Sequence, residues 1–157
     1  MKKQKTLITY GTFDLLHIGH LNLLENLSNL CDRLIVGVST DEFNALKGKK
    51  CVVPYEDRAR LVQSLKVVDL VIPETDWAQK RSDIIEHEAD IFAIGNDWAG
   101  KFDDLQDIVQ VLYLPRTDGI STTEIKDIIS KTNDDKLLSI KNTLEHALSM
   151  FGALTSK

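Results

Sequence analysis

Five short apolar segments rich in β-branched residues recur along the chain: Thr6 to Thr12 (TLITYGT), Arg33 to Ser39 (RLIVGVS), Asp69 to Ile72 (DLVI), Asp90 to Gly95 (DIFAIG) and Val109 to Leu114 (VQVLYL). Their apolar character is continuous rather than alternating, which is the pattern of strands covered on both faces. Helix-like segments lie between them. His20 to Leu30 carries Leu21, Leu24 and Leu27 at helical spacing. Tyr55 to Leu65 follows Pro54 and has Glu56 and Asp57 in its first turn, where the helix dipole favours acids. Asp76 to His87 reads as a helix with Asp76 as N-cap and Trp77, Ile84 and Ile85 on one face. Strands alternating with helices form βαβ units, so the expected fold is α/β: a doubly wound, Rossmann-like five-stranded parallel sheet with helices on both faces. Such sheets bind ligands at the carboxyl ends of their strands, near the switch in strand order. Polar, glycine-bearing clusters follow three of the strands here: GTFDLLHIGH, NDWAGK and PRTDGISTTE.

Beyond Ser130 the run KTNDDK is polar and linker-like, and then Leu137, Ile140, Leu144, Leu148 and Phe151 recur every three or four residues. The expected organisation is one domain over 1–132 and an amphipathic helical extension over 133–157, packed on its own domain or in a dimer. A chain of 157 residues can bury one sizeable core. The net charge of -5 argues against holding nucleic acid on a broad basic surface, so any phosphate site must be local. The basic opening MKKQK is followed by no apolar leader, and no stretch approaches the length of a membrane span. Two cysteines, Cys31 and Cys51, are too few for a disulfide framework and have no CxxC spacing. A cytoplasmic protein with reduced thiols, acting on neither nucleic acid nor membrane, is expected.

His17 and His20 stand three apart where the first strand gives way to a helix. Zinc needs more ligands than two, and no HExxH-type set completes a sphere around them. A strand-to-helix junction faces the ligand cleft, which disfavours a purely structural core role. A phosphate fits better: a helix start presents unpaired N–H groups and a partial positive charge, Gly19 permits close backbone approach, and imidazole donors stabilise charge developing on a phosphoryl group.

GTFDLLHIGH, with its HxGH core, resembles the signature of the nucleotidylyltransferase superfamily, and RTDGIST (Arg116 to Thr122) resembles the RTxGIST signature of its cytidylyltransferase branch. Between them DEFNALKGKK, YEDR, VIPETDW and GNDWAGKFD fall in the order and spacing of members acting on glycerol 3-phosphate. The resemblance covers Thr6 to Ile129 and implies a transfer of CMP from CTP to glycerol 3-phosphate by direct in-line attack. It implies catalytic roles for His17, His20, Lys47 and Arg116. For the nucleotide it implies Gly11, Thr12, Phe13, Gly19, Asp41, Arg58, Asp97, Arg116, Thr117, Ile120, Ser121 and Thr122. For the acceptor it implies Lys47, Lys49, Lys66, Asp69 and Trp77. Lys66 stands where the family often carries arginine, which keeps the charge but loses the planar fork. Ser121 with Glu124 also reads as a capping box. Trp77, by base rate, is more often core than ligand.

Magnesium, or another divalent cation held mainly by the triphosphate with Asp14 as a further ligand, is the expected cofactor. A homodimer is the expected assembly. The alternatives are a cytidylyl- or adenylyltransferase for another acceptor, such as ethanolamine phosphate, another polyol phosphate or FMN, and a non-catalytic nucleotide-binding domain. No GxGxxG follows the first strand, which counts against a redox Rossmann protein.

Overall fold

A computed structural model describes residues 3–155, so part of the basic opening (1–2) lies outside the described residues, as does the side chain of Phe151. The elements run β1 (Thr6–Gly11), α1 (Ile18–Ser28), β2 (Arg33–Ser39), α2 (Asp41–Leu46), α3 (Tyr55–Gln63), β3 (Leu70–Glu74), α4 (Gln79–Glu86), β4 (Ile91–Gly95), β5 (Gln110–Leu114) and α5 (Thr122–Thr155). Short 3-10 helices at Asn96–Trp98 and Asp103–Asp107 link β4 to β5. The strands pair in parallel in the order β3-β2-β1-β4-β5, the doubly wound arrangement expected, with the order reversing at β1. Two compact units divide the chain, Met1–Ile120 and Ser121–Lys157.

Alternation along the strands builds two cores. Leu7, Leu34, Val36, Val38, Ile91 and Ala93 point to one face and meet Leu24 and Leu27 of α1 and Val62 of α3. Ile8, Tyr10, Ile35, Phe92 and Ile94 point to the other and meet Ile84 of α4 with Phe102 and Leu105. Residues of period two therefore serve both layers, which is why the strands read as continuous apolar runs.

The differences from the sequence reading have local causes. β3 extends two residues past Ile72 through Pro73, which an edge strand tolerates because its N–H side need not be paired. The extension carries Glu74 to the level of Ser39. The segment Asp41–Leu46 is helical although too short to show a period: Thr40 Oγ1 accepts the Phe43 N–H (3.2 Å), and Asp41 and Glu42 fill the first turn. α4 begins at Gln79 rather than Asp76. Asp76 Oδ1 still accepts the Gln79 N–H (2.8 Å), from outside the helix, while Trp77 lies in the loop and Ile85 is exposed; only Ile84 of the expected face is buried.

In the second unit α5 runs unbroken through KTNDDK, and so across 132/133, because no Gly or Pro interrupts the stretch and polarity by itself does not end a helix. Leu137, Ile140, Leu144 and Leu148 are exposed along it, as is Leu138. Among the described residues no helix is long and apolar enough to cross a membrane.

Candidate active site

The loop from β1 into α1 is held in a tight course. Phe13 (φ 54°) and Leu15 (φ 49°) both occupy the left-handed region, an unfavourable backbone for large side chains and the kind of strain found at ligand sites. His17 is the N-cap of α1: its Nδ1 accepts the Gly19 N–H (3.0 Å), and His20 Nδ1 in turn accepts the His17 N–H (3.3 Å). The two imidazoles thus form a capping box in which histidines do what Ser/Thr and Glu ordinarily do. The rings stack at 3.8 Å, and Phe13 packs against His20. Burial pushes the His17 imidazole below its usual value; burial, then the neighbouring His17, pushes His20 down to about 4. Both are neutral near pH 7. With each Nδ1 accepting, the ring proton sits on Nε2, so each ring is a donor at that atom. A Cβ at position 19 would come within 2.9 Å of the His17 ring and 3.1 Å of Ile120 Cγ2, so glycine is required here for close packing, and Ile120 of the RTDGIST segment meets the histidine motif at this point.

Two charged residues expected at the substrate site, Arg58 and Asp14, are buried, while Asp41 stays exposed but engaged. Arg58 is buried, with Nε donating to the Val53 carbonyl (2.8 Å), Nη1 to those of Thr12 (2.6 Å) and Ser39 (2.8 Å), and Nη2 to Asp41 Oδ1 (2.6 Å). It ties together the segments that follow β1 and β2 and precede α3. Asp41 also accepts the Tyr55 N–H (3.0 Å); that bond, then Arg58, holds its carboxyl below the usual range. The Asp14 oxygens accept the N–H groups of Val52 (2.9 Å) and Val53 (3.0 Å), which anchors the lysine loop to the β1–α1 loop. Thr12 Oγ1 hydrogen-bonds Asn44 Oδ1 (3.0 Å). For Arg58, Asp41 and Asp14 the geometry is that of scaffolding, because guanidinium and carboxylate alike are occupied by the backbone. Lys66 and Asp69 sit at the amino end of β3, where Asp69 accepts the Leu34 N–H (2.7 Å). A parallel sheet puts its two ends on opposite edges, so within this chain they lie away from Ser39, Glu74 and the histidines.

A polar cluster lies at the carboxyl ends of β2 and β3, of which the sequence reading singled out Lys47 but not Ser39, Glu74 or Lys80. Glu74, Lys80 and Ser39 are buried beside half-buried Lys47. Lys80 Nζ donates to Glu74 Oε1 (2.6 Å); Glu74 Oε2 meets the Ser39 hydroxyl, and Lys47 Nζ lies 3.0 Å from Ser39 Oγ and 3.9 Å from Glu74. Aromatic rings enclose both ammoniums. Lys47 Nζ lies 4.2 Å from the Phe43 ring centre, and Lys80 Nζ lies 4.6 Å from that of Tyr10 and 4.9 Å from that of Trp77. Burial lowers the Lys47 pKa, against the opposing pull of Glu74. Two ammoniums share one carboxylate, so cationic groups outnumber acidic ones in this largely dry, aromatic cluster. Trp77 is not core: it is 43% exposed, edge-on to Phe43 and 5.0 Å from the ring of Trp98. The Ser39 hydroxyl is 3.3 Å from the Gly11 carbonyl, so this cluster stands one strand from the histidine motif. Lys80 was legible in principle, since it lies one helical turn before Ile84 on the buried face of α4.

Arg116, after β5, pairs with Asp97, after β4, and both are exposed. Thr117 is partly buried, and Lys49 is exposed. In the second unit, Ser121 Oγ accepts the Glu124 N–H (3.1 Å), the capping expected at the start of α5, and Thr122 is the first helical residue.

A cytidylyltransferase-like family model matches residues 8–128. The chain is 56% identical over 126 residues to the glycerol-3-phosphate cytidylyltransferase of Bacillus subtilis (strain 168), covering 80% of this chain and 98% of that protein. It is 52% identical over 122 residues to the enzyme of the same name from Staphylococcus aureus (strain NCTC 8325 / PS 47), covering 78% and 92%. Among solved structures, a lipopolysaccharide core biosynthesis protein from Thermoplasma volcanium GSS1 superposes with a TM-score of 0.64 at 28% identity, covering 73% of this chain and 99% of that one.

Proposed function

The chain belongs to the cytidylyltransferase-like family, and on that premise we propose that it is a nucleotidyltransferase that moves CMP from CTP to glycerol 3-phosphate, giving CDP-glycerol and pyrophosphate. The observation that carries the choice of acceptor is the cluster of Lys47, Lys80 and Glu74 beneath Trp77. Its excess of cationic over acidic groups suits a small phosphate monoester, and it lies one strand from the capped histidines.

An oxygen of the acceptor phosphate attacks the α-phosphorus of CTP in line. A new P–O bond forms as the bond from the α-phosphorus to the bridging oxygen breaks, and pyrophosphate leaves with that electron pair. No protein nucleophile is needed, because the acceptor is already an anion at neutral pH. Half-buried Lys47 holds it, with Lys80 buried against Glu74 behind it, and the Nε2 protons of His17 and His20 donate to the α-phosphoryl oxygens, where charge accumulates. The capping box keeps those donors oriented before substrate arrives. Arg116 exchanges Asp97 for a phosphate of CTP, a stronger and bidentate partner. Thr117, Ser121 and Thr122 are assigned to the nucleotide on the RTxGIST pattern alone.

Among the described residues no group of three or more His, Cys, Asp or Glu gathers to hold a metal, and the oxygens of Asp14 are taken by backbone N–H groups. The residues present do not form a magnesium cage; the proposed cation enters with the triphosphate that binds it. The proposal includes a homodimer, for which the exposed Leu137, Ile140, Leu144 and Leu148 offer an apolar stripe.

The test is to incubate the protein with CTP or ATP against glycerol 3-phosphate, ethanolamine phosphate, other polyol phosphates and FMN, following pyrophosphate release and the nucleotide product. CDP-glycerol from CTP and glycerol 3-phosphate is expected. Turnover with another pair alone, or silence throughout, would overturn the reading.

A further inference from the structure

Three residues of the acceptor cluster come from one loop and its two ends. Glu74 ends β3, Lys80 sits in the first turn of α4, and Trp77 lies between them. The side chain that holds this loop is Gln79. Its Oε1 accepts the Thr75 N–H, the Thr75 hydroxyl (3.1 Å) and the Asp76 N–H (3.1 Å). Its Nε2 donates to the Pro73 carbonyl (2.8 Å) and to Asp83 Oδ2 (2.8 Å). Asp83 Oδ2 also accepts from the Tyr10 hydroxyl (2.7 Å), and the Tyr10 ring is one of those that enclose Lys80. One amide therefore stitches the chain on either side of Glu74 to the ring beneath the lysine, with both donor protons and the carbonyl in use.

We infer that Gln79 is a positioning residue for acceptor binding, acting through Glu74, Trp77 and Lys80; the inference rests on the reading of that cluster as the acceptor site. Gln79 reaches none of the phosphate-binding groups itself. It sets the separation of Glu74 and Lys80 and the pose of Trp77, and the histidine motif at the start of α1 is held by other bonds. Its loss therefore acts on one substrate and spares the other.

Gln79→Glu is the sharper variant. The carboxylate keeps an acceptor for the Thr75 and Asp76 N–H groups but has no proton for Pro73 or Asp83, and it meets Asp83 as a like charge. An acid in the first turn of α4 suits the helix dipole, so the variant folds. Gln79→Ala removes both sides of the amide. Wild-type CDP-glycerol formation is measured first; if it is absent, the functional reading itself fails. With an active wild type, both variants are expected to raise the KM for glycerol 3-phosphate about ten-fold while the KM for CTP stays within about two-fold. A titration of tryptophan fluorescence with glycerol 3-phosphate, without CTP, should show its midpoint moved by the same factor, since Trp77 reports the loop. An unchanged acceptor KM in Gln79→Glu would overturn the inference, and so would an equal rise in both KM values with a lowered Tm, which is the signature of general loosening.

Discussion

His17 caps α1 and, in the proposed mechanism, is also the α-phosphoryl donor, and a substitution separates the two. His17→Ala removes the acceptor of the Gly19 N–H and the stacking partner of His20. It should cost about 1 kcal/mol of stability as a lost N-cap and lower kcat by about 100-fold or more. Asparagine is a good N-cap without an imidazole. His17→Asn is therefore expected to recover most of the melting temperature and none of the turnover. Normal turnover in His17→Asn would remove the donor role. The pH dependence follows from the same rings. A histidine whose folded pKa is depressed stays neutral in the native state while the unfolded chain takes up its proton. The stability it contributes is whole above pH 6.5 and is lost as pH falls toward the folded value, about 4 for His20. Initial rates measured between pH 8 and 5 should show no inflection at 6.5 from His20, and melting temperatures should fall over that acidic window. Lys80→Met tests the other half of the site. It leaves Glu74 with the Ser39 hydroxyl and the more distant Lys47, and should raise the acceptor KM at least about ten-fold with little change for CTP.

At the scale of elements, two placements join the sheet to the site. Gly37 in β2 faces the Tyr10 ring, and a Cβ there would lie 2.2 Å from that ring. Gly37→Ala would push aside the tyrosine that encloses Lys80, and a lowered melting temperature together with a raised acceptor KM is the expected pair of effects. Arg58 joins loops from three elements through backbone carbonyls, which no shorter side chain can reach together. Arg58→Ala should lose roughly 3 kcal/mol in denaturant unfolding, because buried carbonyls and the Asp41 carboxylate lose their partner at once. The strands, α1 and α3 were legible because their signals are local and run for several residues. The short α2 and the displaced start of α4 were not, since six residues carry no period and a cap can reach in from outside the helix.

At the scale of the molecule the chain forms two compact units. The relatives from Bacillus and Staphylococcus align with about four fifths of this chain while being nearly covered themselves, and the family match ends at residue 128, before the distal part of α5. A chain ending at Lys131 keeps every residue assigned to catalysis and should retain CDP-glycerol formation. If the apolar stripe of α5 joins two copies, light scattering should show that truncation lowering the mass of the assembly. What local sequence determined here is the set of strands, their parallel pairing through βαβ succession, and the placing of HxGH and RTDGIST after the carboxyl ends of β1 and β5. These follow from periodicity and from motifs a few residues long. Only the tertiary structure decided which charges are tied up within the protein, and by which partners. Arg58 and Asp41, seventeen residues apart, are spent on each other and the backbone, whereas Ser39 and Glu74, thirty-five apart, meet only because β2 and β3 pair in register and leave Lys80 and Lys47 a carboxylate to share. A side chain's charge is written in its residue type, but its partner is set by long-range register, and no run of neighbouring residues encodes that.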